Sequence, residues 1–331
     1  MSLRILPAAL LFAACNPDPT PTEAFDSLWE EMDARYGGFQ QRDIDWDALG
    51  DTHRARVHDA MSDDELAEVM GDLIAPLDDG HLNIVVPERT ILRSNSTYRE
   101  RIDDDLFDLD LVTSHLDEGM SAGDGYQHGT LCGVRYVHFD YTGDQVMVLD
   151  RVLDAGPEPL IMDLRHMGGG DSTWALTAVG RLTDAPVPIF RTRTRNGPEH
   201  DDFDDWTTWD LRPRGDFDDR PVVVLTDRYV ISAAERMVLA LRELPQVTVM
   251  GTPTNGAQAT LTTHVLENNW VLMHPVQELE GVDGTVYEGP GVPPDVAIQT
   301  TREELDAGYD AVLDAAIEAL HPGANCFGDV Q

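Results

Sequence analysis

The sequence predicts an α/β fold in which a mainly parallel sheet follows a small N-terminal helical subdomain. Two patterns support this prediction. Apolar residues recur at helical spacing between residues 24 and 77, and from residue 131 onward short apolar strands alternate with amphipathic helices. Such alternation is typical of parallel sheets whose faces are covered by helices.

The composition of the 331-residue chain is that of a strongly acidic globular protein. It has 61 acidic and 23 basic residues, a formal net charge of −38, and 42% hydrophobic residues. A field this negative repels a phosphate backbone, so nucleic acid is excluded as a partner. All 23 basic residues are arginines, which excludes every chemistry that needs a lysine. A highly solvated surface explains the acidity, including the Asp-rich stretch 201–205.

An export signal is predicted at the N-terminus. Residues 1–15 place Arg4 before an apolar run and end in Phe-Ala-Ala-Cys, with Cys15 last. About 10 apolar residues are too few to cross about 30 Å of hydrocarbon. The ending resembles the lipobox of bacterial lipoproteins, which implies lipidation of Cys15 and an exported, membrane-anchored protein of the cell envelope that faces the periplasm or the cell exterior. Residues 16–23 then form a Pro-rich tether.

Three further regions are predicted beyond the tether. Residues 24–86 form the helical subdomain, residues 87–125 an irregular connector, and residues 126–322 the α/β core, followed by a C-terminal tail at 323–331. In the core we expect strands at 134–141, 160–164, 222–226 and 247–250, helices at 146–153, 172–182, 232–244 and 302–320, and an acidic insertion at 197–220. Cys132 and Cys326 are compatible with a disulfide, but the sequence leaves their pairing open.

Two loops at the carboxyl ends of predicted strands carry unusual chemistry. The first contains Gly168, Gly169 and Gly170, whose N–H groups could stabilise an oxyanion, although a flexible turn is the simpler interpretation of glycines alone. The second leads to Ser232 at the start of a helix, where free N–H groups favour negative charge. Ser232 and Glu235 also fit a capping box, which needs no catalysis, and the spacing leaves both interpretations open.

Four strings in fixed order resemble one protein family. They are LIMDLRHMGGG, PVVVLTDRYVISAAE, GTPTNGA and GPGVPPDV, and they are similar to the blocks of the tail-specific (carboxyl-terminal processing) serine protease family. IDWDAL and LDDGHLNI resemble the helical region of its tricorn-core-like branch. The resemblance covers residues ~24 to 299. It implies a crotonase-like core and a serine peptidase with Ser232 as nucleophile.

The sequence departs from the family in two places. The GKG block that supplies a catalytic lysine in bacterial tail-specific proteases is replaced here by Gly256-Ala257. The connector is too short for the PDZ domain that usually precedes the core, so recognition of a free C-terminus is not implied. The resemblance to the tricorn-like branch implies a histidine base in place of the lysine.

The catalytic residues follow from this branch residue by residue. His81 matches the base and Glu288 the carboxylate that orients it, and a histidine pKa and a tautomer-fixing carboxylate suit these roles. Gly80 stands where tricorn-like enzymes have a hydroxyl residue. The oxyanion would lie between N–H groups of Gly168 or Gly169 and Ala233. His166 and His264 stay alternative bases among the 11 histidines.

The predicted partner is a peptide or protein substrate, with the membrane involved only through the lipid anchor. Metal-ligand spacing and a cofactor fingerprint are missing, so the sequence predicts no metal and no cofactor. Two rival functions stay open. A retinoid-binding relative implies a non-catalytic binding protein for apolar ligands, and the same site could serve an esterase-type acyl hydrolase.

Overall fold

The structure is a computed structural model that describes residues 19–99, 106–116 and 121–323. The predicted signal with Cys15, the first part of the tether and nearly all of the C-terminal tail lie outside these residues. Among the described residues, no helix combines the length and apolar character needed to span a bilayer. Cys132 is disulfide-bonded, and Cys326 lies outside the described residues.

A seven-stranded sheet forms the centre of the molecule. Its first five strands are mutually parallel, and the last two continue it in antiparallel sense. In spatial order the strands are β14 (Val296–Ala297), β10 (Val247–Gly251), β9 (Val222–Thr226), β6 (Leu160–Asp163), β5 (Val134–Phe139), β4 (Tyr126–Leu131) and β3 (Ser121–Gly123). Every residue of β6 and β9 is buried, as expected for central parallel strands. The predicted mainly parallel sheet is confirmed.

Helices cover both faces of this sheet. Alternate residues of β6 show the division, because Leu160 and Met162 belong to one apolar cluster and Ile161 to the other. The first cluster includes α6 (Val148–Asp154), α7 (Ser172–Val179) and α8 (Ala233–Arg242), and the second includes α5 (Leu109–Ser114) and α10 (Ala311–Leu320).

The prediction of a single continuous helix over 302–320 is wrong. The segment forms two helices, α9 (Arg302–Asp306) and α10, because Gly308 adopts a positive φ of 80° and Asp310 caps the second helix.

The N-terminal helices pack on a second sheet. They are α1 (Pro21–Arg35), α2 (Trp46–Arg54) and α3 (Asp63–Ile74). The sheet is antiparallel, with the order β11 (Leu261–Val265), β12 (Val271–Pro275), β1 (Asn83–Val86) and β2 (Thr90–Arg93). Since β11 and β12 come from the predicted core, the boundary expected after residue 86 does not divide the packed structure: Trp270 and Leu272 share an apolar cluster with Phe25.

Two regions that the sequence analysis left without elements contain short ones. The expected irregular connector includes β2, α4 (Ser96–Arg99), α5 and β3. The acidic insertion contributes β8 (Thr207–Leu211) to a three-stranded antiparallel sheet with β7 (Val187–Thr194) and β13 (Gln277–Gly281), in the order β13-β7-β8. β2 and β8 are short and mostly exposed, so their apolar periodicity is weak in the sequence.

A buried ion cluster holds the start of the loop 165–170, which follows β6 and is called the glycine loop below. The guanidinium of Arg165 donates to both carboxylate oxygens of Asp163, at 2.9 and 2.7 Å, and to Asp310 at 2.8 Å. All three side chains are at most 2% exposed. Because Asp310 also caps α10, the cluster ties the glycine loop to the opposite face of the sheet.

Replacing Arg165 with Met will destabilise the fold by about 3–5 kcal/mol, because two carboxylates would stay buried without their cation. The free energy of unfolding in urea measures this loss. Arg56→Met is the control, since Arg56 pairs with Asp72 at the surface and its loss will cost less than about 1 kcal/mol. Equal losses for the two variants would contradict the assigned role of the cluster.

Candidate active site

Ser232 lies on a sharp turn between β9 and α8. Its backbone has φ 65° and ψ −126°, a conformation that side-chain-bearing residues rarely adopt and that costs about 1–3 kcal/mol. Helix-capping residues are normally extended, so this backbone conformation is not that of an ordinary N-cap, although the Glu235 carboxylate accepts the Ser232 N–H as in a capping box. The Ser232 N–H donates to the Ala257 carbonyl at 3.0 Å and to the Glu235 carboxylate at 3.1 Å. These bonds hold the serine in its strained conformation.

The carboxylate of Glu235 joins this turn to the loop 254–258. Glu235 is fully buried, and burial raises its pKa while its hydrogen bonds lower it. Besides Ser232, its donors are the Thr254 hydroxyl at 2.6 Å, the N–H groups of Gly256 and Ala257 at 2.7 and 2.8 Å, and the Gln258 amide at 3.0 Å. From the sequence, Glu235 was expected only as a capping residue.

The glycine loop contacts the serine turn directly. Gly169 has a φ of 79°, and a Cβ added there would lie 2.7 Å from the Cβ of Ser232 and 2.6 Å from the Ile231 carbonyl oxygen. Only a glycine allows this approach. The predicted oxyanion donors therefore lie beside the serine.

The three predicted oxyanion donors are not equivalent. The N–H of Gly168 donates to the Asp140 carbonyl at 2.8 Å, so it is already used within the fold. In the part of the chain that the structure describes, no backbone hydrogen bond involves the N–H of Gly169 or Ala233. The geometry thus favours Gly169 over Gly168 as the partner of Ala233.

His81 lies on the segment that leads from Asp79 into β1. Its side chain is 5% exposed, and burial lowers its pKa from 6.5 to about 4, with the charge of Arg236 acting in the same direction and that of Asp79 opposing it. The imidazole is therefore neutral at pH 7, as a general base must be. Within the described residues, Nδ1 of His81 has no hydrogen-bond partner.

Contacts of Gly80 bring this segment against the serine turn. A Cβ at Gly80 would lie 3.0 Å from Ile231 Cδ1 and 2.9 Å from the Cβ of Ala257, and it would meet the side-chain oxygen of Asn255. The loop 254–258 and the end of the serine turn are thus both adjacent to the residue before His81.

Glu288 lies on the far side of the loop 254–258. It is buried, and its Oε2 accepts hydrogen bonds from the N–H groups of Gln258 and Ala259 at 2.9 and 3.2 Å. The backbone of Ala259 also hydrogen-bonds His81, so one residue lies between the imidazole and the carboxyl group. Burial, reinforced by the charge of Asp79, raises the pKa of Glu288 to about 8.

Asp79 is a functional candidate that the sequence analysis missed. Its carboxylate accepts the backbone N–H of His81 at 2.8 Å and the Tyr36 hydroxyl at 2.7 Å, and it pairs with Arg42 at 3.1 Å. The side chain is fully buried. Its negative charge raises the pKa of His81. An acidic residue two positions before the histidine was the only signal in the sequence.

The two alternative bases lie in other surroundings. His166 faces Asp227, with Nε2 3.3 Å from its carboxylate, and its ring packs on Phe107 and Tyr229. His264 is on β11, where its ring contacts Ser27 and Glu31 of α1 at 3.4 Å each. His81 hydrogen-bonds the backbone of Ala259, beside the loop 254–258 that holds Ser232, whereas His166 and His264 face Asp227 and Glu31.

Two protein-family models match this chain. The Peptidase family S41 model matches residues 131–298, and the Tricorn protease C1 domain model matches residues 17–75. A carboxy-terminal-processing protease of Bartonella bacilliformis is 29% identical over 157 residues, which are 46% of this chain and 34% of that protein. The chain thus corresponds to about a third of that relative's length.

Solved structures show the same fold. The crystal structure of a proposed peptidase from Parabacteroides merdae is 28% identical, covers 92% of this chain and 97% of its own, and has a TM-score of 0.82. Mature CPAF complexed with lactacystin is 10% identical, covers 91% and 97%, and has a TM-score of 0.67. The arrangement is that of the tail-specific proteases, as the sequence strings indicated. The chain belongs to peptidase family S41.

Glu235→Gln will weaken the hydrogen bonding between the serine turn and the loop 254–258, because the amide NH2 is a donor at a position where a carboxylate oxygen accepted. We expect a loss of about 1–3 kcal/mol in the free energy of unfolding. Glu65→Gln is the matched control, since Glu65 is an exposed capping-box acid that receives the N–H of Ser62. A Glu235 variant as stable as the Glu65 variant would contradict this role.

Glu288 predicts a pH dependence of stability. Its pKa is about 8 in the folded chain against an ordinary value of 4.5, so its contribution to stability is fully present below pH 4.5 and is lost as the pH rises through 8. Between pH 5 and 9, the free energy of unfolding of the wild type will therefore fall relative to that of Glu288→Gln. Parallel profiles for the two proteins, measured in urea, would show that Glu288 titrates normally.

Proposed function

We propose that the chain is a serine peptidase in which Ser232 is the nucleophile and His81 the general base. The observation that carries the proposal is the strained turn at Ser232, contacted by Gly169 on one side and approached by the Gly80-His81 segment on the other. Strain of this kind is retained where surrounding contacts hold it and function needs it. Membership in peptidase family S41 supports the same chemistry.

The proposed reaction proceeds through an acyl-enzyme. His81 takes the proton of the Ser232 hydroxyl as its oxygen attacks the peptide carbonyl, and the oxyanion accepts hydrogen bonds from the N–H groups of Gly169 and Ala233. The C–N bond then breaks, and the imidazolium gives its proton to the leaving amine. Water, activated by the same histidine, hydrolyses the ester and restores the serine.

The two buried acids have different proposed roles. At pH 7 Glu288 is largely protonated, because its pKa is about 8, so it positions Gln258 and Ala259 rather than supplying charge to the free protein. The charge that favours the imidazolium comes from Asp79, whose carboxylate is held by Tyr36 and Arg42. Glu288 thus acts on the base through the backbone of Ala259.

We also propose that the protein is exported and anchored at the cell envelope through Cys15. The apolar run before that cysteine and the Pro-rich stretch after it support this location. A peptide or protein outside the cytoplasm is then the substrate. Incorporation of labelled palmitate into the wild type but not into Cys15→Ala, in a bacterial host, tests the anchor.

Covalent labelling with a fluorophosphonate probe tests the catalytic proposal without a known substrate. Peptide mass spectrometry should locate the label at Ser232 in the wild type, and Ser232→Ala and His81→Ala should lose it. His166→Ala and His264→Ala are matched controls that should still be labelled. No labelling of folded wild type, with the probe active on a control hydrolase, would favour a non-catalytic binding protein.

Turnover of ester substrates, but not of the matched amide substrates, would favour an acyl hydrolase.

The pKa of His81 sets the acid limit of activity. Since burial lowers this pKa to about 4, kcat/KM will be constant between pH 5 and 7 and will fall by half near pH 4, rather than near 6.5. A steady-state pH profile measures the limit, with circular dichroism at each pH to show that the protein stays folded. A half-maximum near 6.5 would mean that an exposed histidine is the base.

A further inference from the structure

A cleft of about 980 Å³ begins beside the proposed oxyanion loop. One wall starts at Gly170, the residue after Gly169, and continues along the first turns of α7 to Thr177. Arg236, one turn after Ser232 on α8, and four residues of the strand β8 also line it. The cleft therefore leads from the loop beside Ser232 to the acidic insertion 197–220.

The edge of β8, rather than one of its faces, borders this cleft. Four consecutive residues, 207 to 210, line it, although successive side chains of a strand point to opposite faces. On one face Leu211 is buried and the Trp209 indole donates to the Thr192 hydroxyl at 3.0 Å. β8 is the outer strand of its sheet and pairs only with β7 among the described strands. Its other edge offers N–H and C=O groups to an added strand.

The charge of the cleft differs from that of the whole chain. Its lining includes three arginines and two aspartates, whereas the chain carries a net charge of −38. Arg214 is paired with Asp150 at 2.5 Å, and Arg236 is buried and donates to the Gln258 carbonyl at 2.8 Å. Arg212 is exposed, next to the end of β8. Its guanidinium suits a carboxylate on a molecule that lies along the strand.

We propose that the substrate binds in this cleft as an extended polypeptide segment that adds a strand to the free edge of β8, with an acidic side chain on Arg212. The proposal rests on the peptidase function and adds a substrate class to it. Main-chain hydrogen bonds to β8 would hold many sequences in one register, and Arg212 would select among them. The segment would pass from the oxyanion loop along α7, so that binding and cleavage share one continuous surface.

Binding to Ser232→Ala tests the register without any turnover. The probes are fluorescent eight-residue peptides with blocked ends and one glutamate, N-methylated at alternate residues in either of two frames. Only alternate N–H groups of an added strand face its neighbour. We expect one methylated frame to bind at least about tenfold more weakly than the unmethylated peptide, and the other frame to bind nearly as well. Equal binding of the two frames, or no peptide binding, overturns the proposal.

Substitutions at the cleft test the charge selection. We expect the wild-type cleft to prefer the glutamate peptide over its glutamine counterpart by about threefold at low salt. Arg212→Gln should abolish this preference and Asp210→Asn should increase it. Arg302→Gln removes the same charge outside the cleft and should leave it unchanged. A preference for the glutamate peptide that survives Arg212→Gln contradicts selection of an acidic side chain. The same conclusion follows if the glutamine peptide with a free C-terminus binds as well as the blocked glutamate peptide.

The two proposals can fail separately. Fluorophosphonate labelling of Ser232 reports the peptidase chemistry, and peptide binding to Ser232→Ala reports the use of β8. A protein that is labelled but binds both methylated frames alike retains the proposed function and loses the binding mode. A protein that is not labelled but discriminates between the frames retains a peptide-binding edge and loses the peptidase.

Discussion

The geometry of the site depends on the hydrogen bonds that the buried carboxylate of Glu235 accepts. The carboxylate accepts hydrogen bonds from the serine turn and from four donors of the loop 254–258, and it is fully inaccessible to solvent. A carboxylate in such surroundings is costly unless its oxygens are saturated with donors. The donors are therefore fixed in place, and with them the unusual backbone conformation of Ser232.

The loop 254–258, which Glu235 holds, also contacts the other parts of the site. The Thr254 hydroxyl accepts the N–H of Val292 at 2.8 Å, and the Gly256 carbonyl accepts that of Gly289 at 2.8 Å, so the loop fixes the segment that carries Glu288. Ala257 contacts the Gly80 side of the base. Groups from three distant parts of the chain are held by a single short loop.

The parallel core was predictable because its strands are continuous apolar runs, and such runs indicate burial on both faces. The turn at Ser232 and the glycine loop were located because they follow those strands. The function of Glu235 was not predictable, since its spacing from Ser232 matches an ordinary capping box and its other four donors are more than fifteen residues away. Three further features likewise depend on contacts between distant segments. They are the hydrogen bond of the Gly168 N–H to Asp140, the effect of the Asp79 charge on His81, and the pairing of β12 with β1 in the N-terminal sheet.

The central claim is that Ser232, the oxyanion donors and His81 form one site, and a crystal structure of the phosphonylated protein tests it most directly. We expect phosphorus bonded to Ser232 Oγ, its oxygen within hydrogen-bond distance of the N–H groups of Gly169 and Ala233, and the His81 imidazole beside the serine oxygen. An adduct on another residue, or a phosphonyl oxygen directed away from both N–H groups, would contradict the assignment.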